Sequence, residues 1–288
     1  MTQANPTSVT LDPLLPPEIA RAAESVGVRK ANMDLVSMAV LAGLAGAFIA
    51  LGAVLFTVTV TGAGGGFGPP RLLGGVAFSL GLILVIVAGA ELFTGNTLVI
   101  MAWASRKVST PLLLRGWAIV YVGNFVGAIA TVLLVFAAGN WQLGSNEVGG
   151  TALRIASVKL SYGFGQAVAL GILCNVLVTL AIWLSLAARS IAGKVVVVLF
   201  PITAFVAAGF EHSIANMYFI PMGLMLKNED AAVTASGLAE DQLADLTWAA
   251  FITANLVPVT IGNIIGGAVL VGAVYWFVFL RPGLSKAP

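Results

Sequence analysis

Charged residues are scarce in this 288-residue sequence, at 9% of the chain. An ordinary soluble domain carries about 25% charged residues. Because 59% of the residues are hydrophobic and the mean hydropathy is +1.01, polar groups could not cover a surface in contact with water. The same hydrophobicity excludes an intrinsically disordered chain, which needs few apolar residues. The composition therefore indicates an integral membrane protein.

Cysteine and histidine occur once each, as Cys174 and His212. A single cysteine excludes a disulfide framework, and a single histidine argues against a zinc site. With a net charge of +2, the chain also lacks the strongly basic face that nucleic-acid binding requires. We therefore predict no cofactor, no metal and no nucleic-acid partner. Residues 1–31 lack the apolar core of a signal peptide, so we expect none.

Six apolar segments are long enough to cross a bilayer, which takes about 20 helical residues. The predicted spans are Leu35–Val60, Leu72–Ser105, Gly116–Ala138, Leu160–Ala188, Val195–Leu226 and Trp248–Leu280. The polar stretches predicted as loops are Gly62–Pro70, Gly139–Gly150 and Lys227–Asp245. We expect a cytoplasmic N-terminal segment at 1–31, a single transport domain at 32–282 and a C-terminal tail at 283–288.

The distribution of Lys and Arg predicts the orientation. Six spans place both termini on the same side of the membrane. If that side is cytoplasmic, ten of the 14 Lys and Arg residues lie on it. Cytoplasmic loops carry such an excess. The sequence thus predicts a multi-pass protein of the cytoplasmic (inner) membrane, in contact with lipid, with both termini cytoplasmic.

The second and fifth predicted spans are too long for single straight helices. The second has 34 residues, or about 51 Å of helix, against a hydrocarbon core of about 30 Å. Each contains the pattern G-x-E-x-x-x-x-N, and the two copies are 120 residues apart: Gly89, Glu91 and Asn96 against Gly209, Glu211 and Asn216. Irregular backbone at membrane depth survives only within protein or beside a watery cavity. We predict that both helices are broken there.

A second matched pair extends the similarity to the remaining spans. Gly123–Gly127 and Gly262–Gly266 both read G-N-x-x-G and lie 139 residues apart. The additional 19 residues equal the length of the polar loop at 227–245. Residues 32–138 and 157–280 are therefore predicted to form two repeats. Because each repeat has an odd number of spans, the two copies have opposite orientations in the membrane. Paired broken segments in inverted repeats indicate a transport site near the bilayer midplane.

The segments Ala90–Asn96, Gly209–Met217 and Pro258–Asn263 resemble the formate/nitrite transporter family, and the resemblance covers about residues 15–282. It implies an aquaporin-like all-α membrane fold: six transmembrane helices in two inverted three-helix repeats, with helices two and five broken. It also implies a homopentamer in which each protomer has its own pore. Among members, the chain looks most like formate channels. Nitrite, acetate, lactate and hydrosulfide stay open as alternative substrates.

The resemblance assigns roles by position. His212 matches the family's central pore histidine, and Thr94 its hydrogen-bond partner. The residues at or near the apolar constrictions are Leu82, Phe205, Leu92, Phe93 and Val178. Lys159 matches a cation that attracts anions into the outer vestibule, and Asn175 and Asn263 match pore-region amides. The two break motifs are expected to hold the loops; their residues are Gly89, Glu91, Asn96, Gly209, Glu211 and Asn216. We expect each glutamate to accept from backbone N–H groups or from a Lys or Arg partner, because a bare carboxylate would repel an anion.

Histidine is the residue whose reference pKa, about 6.5, lies near neutrality. We hypothesise that His212 donates a proton to the anion between two apolar constrictions, so that formate and protons cross together. Passive conduction and a purely structural buried histidine stay open as alternatives. A membrane enzyme is disfavoured because no second histidine can complete a catalytic set. A water channel would need two Asn-Pro-Ala motifs, and an ammonium channel more than one histidine.

Overall fold

The computed structural model describes residues 13–284, so the predicted terminal segments 1–31 and 283–288 fall partly outside the described residues. The main helices are α1 (Pro16–Ala31), α2 (Leu35–Val60), α3 (Gly68–Ala88), α4 (Phe93–Ala104), α5 (Thr110–Ala137), α6 (Glu147–Leu160), α7 (Phe164–Ala187), α8 (Ile191–Ala208), α9 (Ser213–Leu226), α10 (Asp230–Ser236), α11 (Glu240–Ala244) and α12 (Trp248–Phe279). Six of them are long and apolar enough to span a membrane: α2, α3, α5, α7, α8 and α12. The described region is therefore an all-helical membrane bundle.

Two of the predicted loops contain helices, and there the prediction is wrong. The stretch 139–150 holds a short 3₁₀ turn at Asn140–Gln142 and the start of α6. The stretch 227–245 holds α10 and α11. These helices are short or carry apolar residues on one face only, so a search for continuous apolar runs does not detect them. The first span, Leu35–Val60, has the predicted bounds.

The long second and fifth spans are each divided at a glycine. Helix α3 ends at Ala88 because Gly89 has a φ of 84°, and α8 ends at Ala208 because Gly209 has a φ of 78°. Left-handed backbone costs a non-glycine residue roughly 1–2 kcal/mol, whereas glycine adopts it readily. Three non-helical residues follow each glycine before α4 and α9 begin. The two breaks thus have the same local cause.

Hydrogen bonds between equivalent residues show where the two repeats meet. Tyr121 on α5 and Thr260 on α12 are 139 residues apart, and their hydroxyl oxygens lie 2.8 Å from each other. Such a contact between equivalent positions lies at the internal two-fold axis. Helices α3 and α8, which are also equivalent, pack against each other across the same interface. The site described below lies between these halves.

The internal repeat begins earlier than the predicted boundaries at 32 and 157. Lys30 at the end of α1 and Lys159 at the end of α6 are 129 residues apart, and each forms an ion pair with the glutamate of its repeat's break. Helix α1 also buries Ile19, Ala20 and Ala23 against the bundle. Helices α1 and α6 are therefore equivalent first elements of the two halves.

Helix α12 is not a regular α-helix along its whole length. Two stretches, Phe251–Leu256 and Ile265–Ala273, have the wider π-helical winding. Such winding is rare and occurs frequently at functional sites. The first stretch contains Asn255, and Asn263 lies between the two; both side chains are fully buried. The polar side chains of α12 thus lie in or beside its irregular turns.

Candidate functional site

Two cavities approach the centre of the bundle. The α1-side cavity, of about 450 Å³, is bounded by α1, the first break and the start of α8, and residues such as Lys30, Glu91 and Leu92 line it. The His212-side cavity, of about 310 Å³, is bounded by α6, the start of α3 and the second break. Because α3 and α8 run between them in opposite directions, the two cavities lie toward opposite faces of the membrane.

His212 and Thr94 form a hydrogen-bonded pair between the cavities. The imidazole Nε2 lies 3.0 Å from Thr94 Oγ1, and both side chains are buried. The other ring nitrogen, Nδ1, accepts the backbone N–H of Ala215 at 3.0 Å and so caps the N-terminus of α9. In the neutral ring, the hydrogen therefore resides on Nε2 and is donated to Thr94. The pair thus joins the two breaks directly.

Apolar side chains surround this pair. The Phe205 ring faces the His212 ring with centroids 5.9 Å apart, and it lines the His212-side cavity. Leu92 lines the α1-side cavity. Leu82 and Val178 are buried and line neither cavity. Of the residues predicted at constrictions, Phe205 and Leu92 therefore each line one cavity.

Phe93 is the exception. Its ring packs against the rings of Tyr121, with centroids 4.8 Å apart, and Trp117, at 6.1 Å. It lines neither cavity. Leu92, immediately before it, has extended backbone, and successive side chains along extended backbone point to opposite sides. Phe93 therefore does not line the α1-side cavity, although it is adjacent in sequence to Leu92, which does.

The two glutamates of the break motifs have matching polar partners. Glu91 accepts from Lys30 Nζ at 3.0 Å and from Asn96 Nδ2 at 2.8 Å. Glu211 accepts from Lys159 Nζ at 2.8 Å and from Asn216 Nδ2 at 2.7 Å. Each carboxylate thus ties a lysine from the first helix of its repeat to the asparagine five residues further on.

The second network has an additional member that sequence reasoning missed. Asn255 Nδ2 donates to Glu211 Oε2 at 3.2 Å and to the carbonyl oxygen of Lys159 at 2.8 Å, while its Oδ1 accepts from Asn216 at 2.7 Å. Its equivalent in the first repeat is Gly116. Because the motif pairs were found by identity, a position that differs between the repeats gave no signal.

Asn263 holds backbone rather than lining a cavity. Its Oδ1 accepts from Ser213 N at 2.9 Å, and its Nδ2 donates to the carbonyl oxygens of Gly171 at 2.8 Å and Glu211 at 3.0 Å. Asn124 makes the equivalent contacts at the first break. Buried backbone groups must be paired in this way when helices are interrupted in lipid.

Asn175 links the two halves near the central pair. Its Nδ2 donates to the carbonyl oxygen of Asn263 at 2.6 Å and lies 3.3 Å from that of Thr94. The side chain is fully buried and lines neither cavity. Both predicted pore-region amides thus contact the backbone of the broken segments.

The ammonium group of Lys159 lines the His212-side cavity but is not freely exposed. The side chain is 13% exposed, and the ammonium lies on Glu211 and 5.2 Å from the Phe219 ring centroid. Its charge is therefore largely compensated. Arg71, from the first turn of α3, lines the same cavity and was not predicted as a site residue. Within residues 13–284, no cluster of three or more His, Cys, Asp or Glu side chains could hold a metal ion.

Two inverted repeats, a cavity toward each face and a buried polar pair between them define a membrane transport protein. Comparison with known proteins then identifies the family of transport proteins. The profile of the formate/nitrite transporter family matches residues 17–277, and the chain belongs to this family. The relatives are channels and transporters, so the protein is not an enzyme.

The relatives match over nearly their whole length. The formate channel FocA of Escherichia coli (strain K12) is 44% identical over 94% of this chain and 96% of that protein. A probable formate transporter of Methanothermobacter thermautotrophicus is 37% identical over 92% and 97%, respectively. Among solved structures, a pentameric formate channel with formate bound superposes with a TM-score of 0.80 and 43% identity, covering 85% of this chain and 98% of that one.

Proposed function

We propose that this protein transports formate across the cytoplasmic membrane, with His212 and Thr94 at the centre of the path. The observation that carries the proposal is the 3.0 Å contact between His212 Nε2 and Thr94 Oγ1, buried between two cavities toward opposite faces. The relatives described above that carry a substrate in their names are formate channels or transporters. Nitrite is the alternative that a competition assay must test.

The geometry suggests how the pair would act on an anion. When Nε2–H donates to Thr94 Oγ1, the Thr94 hydroxyl hydrogen is free to point at a permeating oxygen. That donation would offset part of the cost of removing the anion from water, which is large for an unpaired charge. Proton transfer would need a second proton on the ring, on Nδ1. The imidazolium would lose the Ala215 cap and face the positive end of the α9 dipole, so it would release its proton readily.

Uptake into proteoliposomes tests the relay. We expect formate uptake by the wild-type protein to rise with an inward proton gradient. His212→Phe removes both the cap and the titratable group, whereas His212→Asn keeps a capping side chain because Asn is favoured at helix N-caps. If His212 relays protons, His212→Asn folds but loses the response to the gradient. A structural histidine predicts instead that His212→Asn behaves like the wild-type protein and only His212→Phe fails.

Substrate choice is tested in the same vesicles. Formate uptake that nitrite inhibits only at large excess supports formate as the substrate. Nitrite uptake without formate uptake would assign the chain to nitrite transport and leave the fold unchanged. Uptake of formate that ignores the proton gradient would support passive conduction and contradict the relay.

We further propose a homopentamer with both termini cytoplasmic. The pentamer rests on the solved relative, which is described as pentameric. The orientation rests on the excess of Lys and Arg on the side of the termini. Native mass measurement in detergent tests the first. Because Cys174 is buried, single cysteines introduced at loops and labelled from outside intact cells test the second, and labelling near α1 would contradict it.

A further inference from the structure

We propose that Arg71 supplies the net positive charge that draws the anion into the His212-side cavity. The inference rests on the proposed function and assigns a residue that neither the motifs nor the predicted site contained. It follows from a comparison of the cations that line this cavity, which are Arg71, Arg154 and Lys159. The three differ in how their charges are compensated.

Two of these cations have a carboxylate partner. Lys159 Nζ lies 2.8 Å from Glu211 Oε1. Arg154 lies 3.6 Å from Glu147 and is otherwise occupied by the carbonyl oxygens of Ala235 and Ser236, at 2.9 and 3.2 Å. Each of these pairs adds little net charge to the cavity.

Arg71 makes no ion pair with any carboxylate in the described part of the chain. Its Nε donates to the carbonyl oxygen of Ala207 at 2.6 Å, and its Nη2 lies 3.4 Å from that of Val206. Its guanidinium carbon is 5.1 Å from the Phe67 ring centroid. All three partners are neutral groups, so no carboxylate neutralises the positive charge that the guanidinium adds to the cavity.

The position of these contacts adds a second electrostatic effect. Val206 and Ala207 are in the last turn of α8, where unpaired carbonyls give a helix a partial negative charge. Without a cation there, that negative end would face an anion approaching His212. Arg71 donates to the carbonyl oxygen of Ala207, whereas that of Val206 also accepts the backbone N–H of Gly209 at 3.0 Å, and the guanidinium reverses the sign of the local charge. The equivalent position on α8 is Ile191, and the cations near it that line the α1-side cavity are Arg189 and Lys194.

The effect of the Arg71 charge is distinguished from the effect of capping the end of α8 by comparing three proteins. These are the wild-type chain, Arg71→Lys and Arg71→Gln. Formate uptake is measured against concentration at low ionic strength and at about 0.15 M, where the Debye length is about 8 Å. Intact cells and inverted membrane vesicles present opposite faces. We expect Arg71→Gln to raise KM about two- to five-fold from one face only, with unchanged maximal flux, as expected for one charge in a solvated cavity. It should also abolish the salt dependence of KM.

Arg71→Lys cannot reproduce the planar contacts with both carbonyls but keeps the positive charge. Because the charge is retained, we expect a KM near that of the wild-type protein. If Arg71→Lys fails as Arg71→Gln does, the residue acts by capping and the inference is wrong. An unchanged KM and salt dependence in Arg71→Gln would also overturn it. If the wild-type chain carries nitrite rather than formate, the measurement is made with nitrite, since the charge attracts either anion. A wild-type chain that carries neither contradicts the proposed function.

A glycine pair provides a second variant that leaves Arg71 in place. A Cβ on Gly209 would lie 2.7 Å from Arg71 Nη2, whereas one on Gly89 would meet no atom within 4 Å. Both glycines have left-handed backbone, so alanine strains both to a similar degree. We expect Gly209→Ala to raise KM beyond any change in Gly89→Ala. Equal KM values in the two variants would contradict a role for the guanidinium position.

Discussion

Breaking the Lys159–Glu211 ion pair should destabilise the protein more than breaking its counterpart on the other face. Both side chains of this pair are buried, with 13% and 3% of their surfaces exposed. Lys159→Met leaves the carboxylate with amide donors alone in the membrane interior. Removing one partner of a buried ion pair costs roughly 3–5 kcal/mol. Because Lys30 is 27% exposed, water can partly solvate Glu91 in Lys30→Met, and we expect a loss of only about 1–2 kcal/mol there.

Thermal unfolding in detergent, followed by the fluorescence of the six tryptophans, measures the difference. For a chain of this size, 1 kcal/mol shifts the Tm by roughly 2–4 °C. Lys159→Met should therefore lower the apparent Tm by about 6–20 °C, and Lys30→Met by about 2–8 °C.

The double variant Lys159→Met/Glu211→Gln is the decisive control. Removing both charges leaves no unpaired ion, so we expect it to recover much of the loss caused by Lys159→Met alone. The losses caused by Lys159→Met and by Glu211→Gln, each measured alone, should not add in the double variant. If they do add, or if Lys159→Met unfolds within a degree or two of the wild-type protein, the pair does not hold the second break and this reasoning fails.

Three other substitutions test the contacts around the centre. Thr94→Val should reduce formate flux several-fold while Thr94→Ser retains it, because only the hydroxyl contacts His212; equal fluxes would contradict a role for the pair. Tyr121→Phe removes the bond to Thr260 and should lower the free energy of unfolding by about 1 kcal/mol, read as a Tm shift of a few degrees. Asn263→Ala leaves the Ser213 N–H and the Glu211 carbonyl oxygen without their hydrogen-bond partner and should lower the yield of folded protein sharply, measured by size-exclusion chromatography; a wild-type yield would refute that reasoning.

The architecture was accessible from the sequence because it depends on local signals. Long apolar runs give the spans, and the G-x-E-x-x-x-x-N motif marks two left-handed glycines that end helices. Helix α6 was missed because Glu147, Arg154 and Lys159 interrupt its apolar residues, so it contains no long apolar run. A basic partner for each glutamate was predicted, but its identity was not, since Lys30 and Lys159 lie 61 and 52 residues from the glutamates in the chain. No local pattern encodes such pairings.

The directions of the side chains at the site could likewise not be predicted from the positions of the residues in the sequence. Leu92 and Phe93 are adjacent in the sequence, yet Leu92 lines the α1-side cavity and Phe93 packs against Tyr121, because the backbone of Leu92 is extended at the break. Arg71 gave no motif at all. Its importance depends on the end of α8 lying beside the start of α3, which follows from the antiparallel packing of the two repeats.

The hydrogen-bonded pair of His212 and Thr94 lies where the two repeats differ. The repeated positions Glu91 and Glu211 have equivalent partners, and so do Asn124 and Asn263, because both halves face the same problem of an interrupted helix in lipid.

The positions that differ are those around the central pair. His212 corresponds to Leu92, and Thr94 corresponds to Ile214. Duplication of the first half would give two threonines and no histidine at these positions, and duplication of the second half would give two histidines and no threonine. Because one half supplies Thr94 and the other His212, the chain has one such hydrogen-bonded pair, with Leu92 lining the α1-side cavity and His212 lining the other. An anion crossing from the His212 side would reach the imidazole through the cavity that Phe205 also lines, whereas one crossing from the α1 side would meet Leu92 before His212. Flux measured from the two faces should consequently depend differently on pH if His212 is the relay, and identical pH profiles from both faces would contradict that order of contacts.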